Sequence, residues 1–171
     1  SGDAMAEPTA ADWMRDTAEA LAAARAVGEQ VIIISTSTGG NLVAAAALRD
    51  DLMENVAGAV FVSPNFALNS PSAVILTWPA VRWWGPVVAG AERSFETQNE
   101  GHAAYWTNSY PTVALMPMAA LVKAVDGLDL GEAKLPALFM ISDQDKVVSP
   151  TKNREVAEEW GGDSTLEILT M

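Results

Sequence analysis

Residues 31–41 read Val-Ile-Ile-Ile-Ser-Thr-Ser-Thr-Gly-Gly-Asn, and an apolar helical stretch, residues 42–48, follows at once. Ser35-Thr36-Ser37-Thr38-Gly39 has the form of a nucleophile elbow, G-x-S-x-G, with serine in place of the first glycine. Such an elbow turns a buried strand sharply into a helix and leaves the nucleophile at the tip of a strained turn. Bulky side chains two residues to either side would collide with neighbouring backbone. That requirement selects the register, because centring the motif on Ser35 would put Ile33 where a small residue must stand. Ser37 is the candidate nucleophile. Two other readings exist: a glycine-rich turn cradling phosphate at a helix N-terminus, or a plain structural turn. The lysine of G-x-x-x-x-G-K-[ST] and the spacing of G-x-G-x-x-G are both absent, which weakens the phosphate reading.

A serine nucleophile needs a base to take its proton and an acid to hold that base in the right tautomer. In strand–elbow–helix architectures the chain order is serine, then Asp or Glu, then histidine. Asp145 lies 108 residues after Ser37, just past an expected strand, where open parallel sheets carry functional groups. Asp143 is its competitor. Asp145 is preferred because Val147 and Val148 can anchor the loop and aim its carboxylate inward. Loop capping or simple solvation is the bland alternative for either aspartate.

These residues need elements to hold them. Pro8, Thr9 and Asp12 read as a helix start with Thr9 as N-cap, and Gly28 stops that helix. Residues 31–34 form a strand apolar on both faces, as in a parallel sheet with helices on both faces. The helix after the elbow is expected to run to about Met53, and the next strand spans residues 59–62. Helix and strand alternate with short connections, which argues α/β with a parallel sheet. The alternation lapses over residues 67–133, where no strand is clear. That span holds Trp78, Trp83, Trp84 and Trp106, with Phe95, Tyr105 and Tyr110 nearby. It reads as a helical excursion over the sheet's edge, either packing ordinarily or lining an apolar pocket. A strand at 136–141, a helix at 151–160 and a last strand at 166–169 complete the pattern. Residues 1–66 and 134–171 are thus expected as the core, with 67–133 as a cap or lid.

Composition sets limits on partners. The chain has 171 residues, half of them hydrophobic, with 22 Asp and Glu against 10 Lys and Arg. A net charge of −12 without a basic cluster repels phosphate backbones, so nucleic acid is not an expected partner. There is no cysteine and one histidine, His102, too few to supply the usual ligands of a hydrolytic zinc. No uninterrupted apolar run reaches the ~18 residues of a spanning helix. The longest candidate, residues 73–90, is broken by Thr77, Pro79, Arg82 and Pro86. No stable membrane insertion is expected, and the location read is cytoplasmic.

With the elbow at residues 35–40, the strand-and-acid loop at 136–150 and the cap between them, the chain resembles the α/β-hydrolase superfamily. The resemblance is to its bacterial carboxylesterase and monoacylglycerol-lipase-like branch, and it extends over nearly the whole chain. It implies Ser37 as nucleophile, Asp145 as acid, and the backbone N–H of Thr38 as one oxyanion donor. It also implies a serine hydrolase cleaving carboxylic esters through an acyl-enzyme, with no cofactor or metal. The substrate would be a small-molecule ester with an apolar acyl group. The family's histidine follows the strand after the acid loop, and Met171 comes before any such residue. The other oxyanion donor comes from a loop after an early strand that has no counterpart here. The sequence therefore reads as a fragment with its histidine beyond Met171. His102, in the cap and before the acid, stands outside that order. Two other functions fit the same residues: a truncated, non-catalytic module binding an apolar ligand or partner, or hydrolysis of peptide, thioester or carbon–carbon bonds.

Overall fold

Four parallel strands, β1 (Val31–Thr36), β2 (Val56–Val62), β5 (Ala137–Ile141) and β6 (Ser164–Ile168), lie side by side in the order β1-β2-β5-β6. The computed structural model describes residues 2–69, 76, 78, 80–97 and 99–170. Part of the apolar stretch at 73–90, and parts of the expected cap, lie outside the described residues. The strands alternate with α1 (Ala10–Val27), α2 (Thr38–Ala47), α5 (Leu115–Asp126) and α6 (Pro150–Glu159). The α/β reading with a parallel sheet is what the chain adopts.

Local chemistry places these elements. Thr9 caps α1 through a reciprocal box, its Oγ1 accepting from Asp12 N–H while the Asp12 carboxylate accepts from Thr9 N–H. Ser149 caps α6 by accepting from Lys152 N–H, with Pro150 at the first helical position. The α2 helix stops at Ala47, short of the expected Met53. A turn through Arg49 and Asp51, which are ion-paired, takes over there.

Strand order in the sheet always advances in one direction, so right-handed crossovers bring their helices to one face. That face carries Ala59, Phe61, Ala137 and Phe139. Phe61 and Phe139 stack at 4.7 Å, and the Trp160 ring meets both edge-on. Val43, Ala44 and Ala47 of α2, Leu121 and Val125 of α5, and Val156 and Ala157 of α6 close over them. Leu21 of α1 packs with Ala46 and Leu52 nearby. On the opposite face Ile32 and Ile34 are 68% and 74% exposed, Ile32 in register with Gly58 and Ile34 with half-buried Val60 and, beyond it, Leu138. Helices on both faces were expected; among the described residues they pack on one.

Residues 67–133 contain α3 (Val81–Ala89), α4 (Glu100–Tyr105) and α5. They also hold an antiparallel ribbon of β3 (Glu92–Ser94) and β4 (Ser109–Pro111), which corrects the expectation of no strand in this span. Three-residue polar strands with no buried residue leave no alternating pattern to read. The ribbon is separate from the parallel sheet. Within the same span, α5 and Leu130 contribute to the main core.

Candidate active site

Ser37 stands between the last residue of β1 and the first of α2, with its backbone at φ 52° and ψ −123°. For a residue with a side chain, such a conformation costs of the order of 1–3 kcal/mol and persists only where surroundings impose it. Three backbone hydrogen bonds do so. Ser37 N–H donates to Val62 O at 3.2 Å, and Ser37 O accepts from Gly40 N–H and Asn65 N–H, each at 3.0 Å. Ser37 itself is exposed. A nucleophile can be presented to a substrate in this way.

The small residues around it have distinct roles. Ser35 is buried and its Oγ donates to Val60 O at 3.1 Å. A Cβ on Gly39 would meet only the Ser35 Cβ, at 3.8 Å, so these two positions face each other rather than the backbone. The crowded position is Gly40, where a Cβ would stand 2.7 Å from the Pro64 Cβ. The collision rule of the motif thus falls on a glycine one residue later than expected.

Thr38 opens α2, where the first four N–H groups of a helix have no acceptor within it. Its hydroxyl lies 3.5 Å from Asn65 Nδ2. The N–H groups here form a positive helix end beside Ser37, suited to a developing negative charge.

The acid loop follows β5. Asp143 is exposed and ion-paired with Arg154 of α6. Asp145 is half-buried, and its Oδ1 accepts from Val147 N–H at 2.8 Å and Val148 N–H at 3.0 Å. Val148 is buried and bridges Leu68, whereas exposed Val147 steers the carboxylate through its backbone alone. Ser37 and Asp145 therefore both follow carboxyl ends of parallel strands, with β2 lying between β1 and β5. The chain leaving β2 touches both loops. Asn65 N–H reaches Ser37 O, Asn69 N–H reaches Val147 O at 2.8 Å, and Asn69 Nδ2 reaches Asp145 O at 3.3 Å.

His102 lies on α4, its ring stacked on Phe95 at 5.3 Å and edge-on to Trp106 at 5.6 Å. It belongs to an aromatic cluster of the excursion. A cavity of about 410 Å³ lined by Asp50, Met53, Val56 and Lys134 opens at the amino ends of the strands, away from the elbow. No helix among the described residues is long and apolar enough to cross a membrane.

Sequence reasoning passed over Asn41 and Asn65. Both are fully buried beside the elbow, and Asn41 Nδ2 donates to Asn65 O at 2.7 Å. The available signal was an amide at the head of an otherwise alanine-rich helix, and Ser63-Pro64-Asn65 closing β2.

A parallel sheet with a strained serine at the strand-to-helix turn, and an aspartate loop two strands away, is the architecture of an α/β-hydrolase. The family model for serine aminopeptidase, S33, matches residues 1–170, and the chain belongs to that family. Among solved structures it is similar to a lipolytic enzyme from the metagenome-derived pair LipS and LipT. That match has a TM-score of 0.71 and 24% identity, over 97% of this chain and 65% of that one. It is also similar to the monoacylglycerol lipase of Paleococcus ferrophilus, with TM-score 0.68 and 17% identity over 95% and 65% of the two chains. A soluble variant of Saccharomyces cerevisiae monoglyceride lipase, in complex with a substrate analogue, gives TM-score 0.63 and 12% identity over 92% and 58%. The chain thus spans less than two thirds of the length of each, 65%, 65% and 58%. No curated protein matches the sequence.

Proposed function

We propose that the protein carrying this chain is a serine hydrolase that cleaves carboxylic esters through an acyl-enzyme. The observation that carries this reading is the backbone of Ser37, held at φ 52° and ψ −123° by bonds to Val62, Gly40 and Asn65. Ser37 Oγ attacks the ester carbonyl, and the tetrahedral oxyanion is received by Thr38 N–H. Asp145 orients the base, with one oxygen fixed by Val147 and Val148 so that the other is left for an imidazole. The base is assigned to a histidine outside residues 1–171, by the chain order of the superfamily. His102 is left in its aromatic cluster.

Residues 67–133 are proposed as the cap, with α3, α4 and the ribbon as the parts that meet substrate. Exposed Trp83, Tyr105 and Trp106 favour an apolar acyl group. Similarity to lipolytic structures supports the ester reading. The family's description as serine aminopeptidases favours a second reading, peptide-bond hydrolysis by the same nucleophile. The test is hydrolysis of p-nitrophenyl acyl esters and aminoacyl p-nitroanilides by the full-length protein, with Ser37→Ala as control. Ser37-dependent turnover with higher kcat/KM on esters is expected. Higher kcat/KM on the anilides would replace the ester reading by the peptidase one.

A further inference from the structure

The peptide unit joining Ser37 to Thr38 is planar and trans, so its C=O and N–H point in opposite directions. Whatever fixes the Ser37 carbonyl therefore also aims the Thr38 N–H. That carbonyl accepts from Gly40 N–H and Asn65 N–H, each at 3.0 Å. Gly40 is held by its own helix. Asn65 lies in the irregular chain leaving β2, and its carbonyl accepts from Asn41 Nδ2 at 2.7 Å. We infer that Asn41 is a positioning residue that, through Asn65, aims and polarises the Thr38 N–H as oxyanion donor.

Asn41 is 0% exposed, and its Oδ1 has no hydrogen-bond partner among the described residues. Burying an amide with one end unsatisfied is unfavourable for packing alone, and a leucine would fill the space without that cost. The amide's bond to Asn65 O goes to the segment that holds the elbow carbonyl. Bonds accepted by a peptide carbonyl also strengthen donation by the N–H of the same unit, since hydrogen-bonded chains polarise one another. The effect is felt most when an oxyanion forms, so it belongs to the transition state rather than to substrate binding.

The inference rests on the reading of Ser37 as nucleophile, and the test separates the two. Asn41→Leu and Asn41→Ala are made in the full-length protein, checked for folding by thermal melts, and assayed on p-nitrophenyl butyrate beside Ser37→Ala. The expected result is a fall in kcat of about 10- to 30-fold with KM unchanged. That is smaller than the ~10²–10³ lost when an oxyanion donor is removed outright. Affinity for a trifluoromethyl ketone, which forms a tetrahedral adduct, should fall by the same factor. Turnover that survives Ser37→Ala would overturn the nucleophile reading. Ser37-dependent turnover with wild-type kcat in a folded Asn41 variant would overturn the positioning role alone. A rise in KM at constant kcat, or loss of the fold in both variants, would make Asn41 a structural residue and overturn it equally.

Discussion

Gly40 and Pro64 pack so closely that a Cβ on the glycine would stand 2.7 Å from the proline Cβ. The elbow and the exit of β2 are thereby locked against each other at a point where neither side can give easily. Gly40→Ala is expected to destabilise the chain by about 1–3 kcal/mol, the usual cost of overpacking. Gly39→Ala, whose Cβ would make an ordinary 3.8 Å contact, is expected to cost less. Urea denaturation of the two variants checks the order. Equal midpoints would show that the contact relaxes freely.

The strain at Ser37 makes a second expectation. Glycine tolerates φ 52°, ψ −123° without the side-chain penalty, so Ser37→Gly should be more stable than Ser37→Ala, by about 1 kcal/mol. Both remove the hydroxyl, so the comparison isolates backbone conformation from chemistry. Thermal unfolding of the pair decides it; an alanine variant at least as stable would mean the turn carries no strain.

Legibility in the sequence followed how much of the fold is periodic. The strand–helix alternation around Phe61 and Phe139 was readable because buried parallel strands are continuous apolar runs. The exposed face at Ile32 and Ile34 was not, because the same run reads as buried on both sides. Thr9 and Asp12 announced the start of α1 through side-chain chemistry that is purely local. The β3–β4 ribbon has no such signature, and the C-terminal end of α2 was set by tertiary packing and an Arg49–Asp51 turn. At the site, motif spacing indicated Ser37 and strand-end position indicated Asp145. Asn41 and Asn65 stayed hidden because their roles arise from a contact across 24 residues.

Exposed isoleucines on a sheet face give a third expectation. Ile32→Thr and Ile34→Thr remove little burial and keep a β-branched strand residue, so each should change stability of the 171-residue chain by less than about 0.5 kcal/mol. The double variant should bind less of a hydrophobic dye and self-associate less. A loss of 2 kcal/mol or more in either single variant, on the order of burying a whole aliphatic side chain, would show that the face is covered.

Acid should loosen the first turn of α1. The Asp12 carboxyl is held below the ordinary carboxylate value, first by the backbone N–H of Thr9, then by its hydroxyl and by Arg15. A lowered folded-state pKa means that the contribution is present above the ordinary value and lost as pH falls through the folded one. NMR titration of the Thr9 amide between about pH 6 and pH 2 should report the loss, with a midpoint below the ordinary carboxylate pKa of about 3.9. A midpoint at or above that value would contradict the capping box. Asp12→Asn should abolish the transition.

The central claim is that Ser37 is the nucleophile, and covalent trapping tests it most directly. The full-length protein is treated with a fluorophosphonate, digested, and mapped by mass spectrometry. The account predicts stoichiometric modification of the peptide containing Ser37, parallel loss of esterase turnover, and neither labelling nor turnover in Ser37→Ala. Modification at another residue accompanied by loss of activity, or turnover that persists in Ser37→Ala, would contradict it.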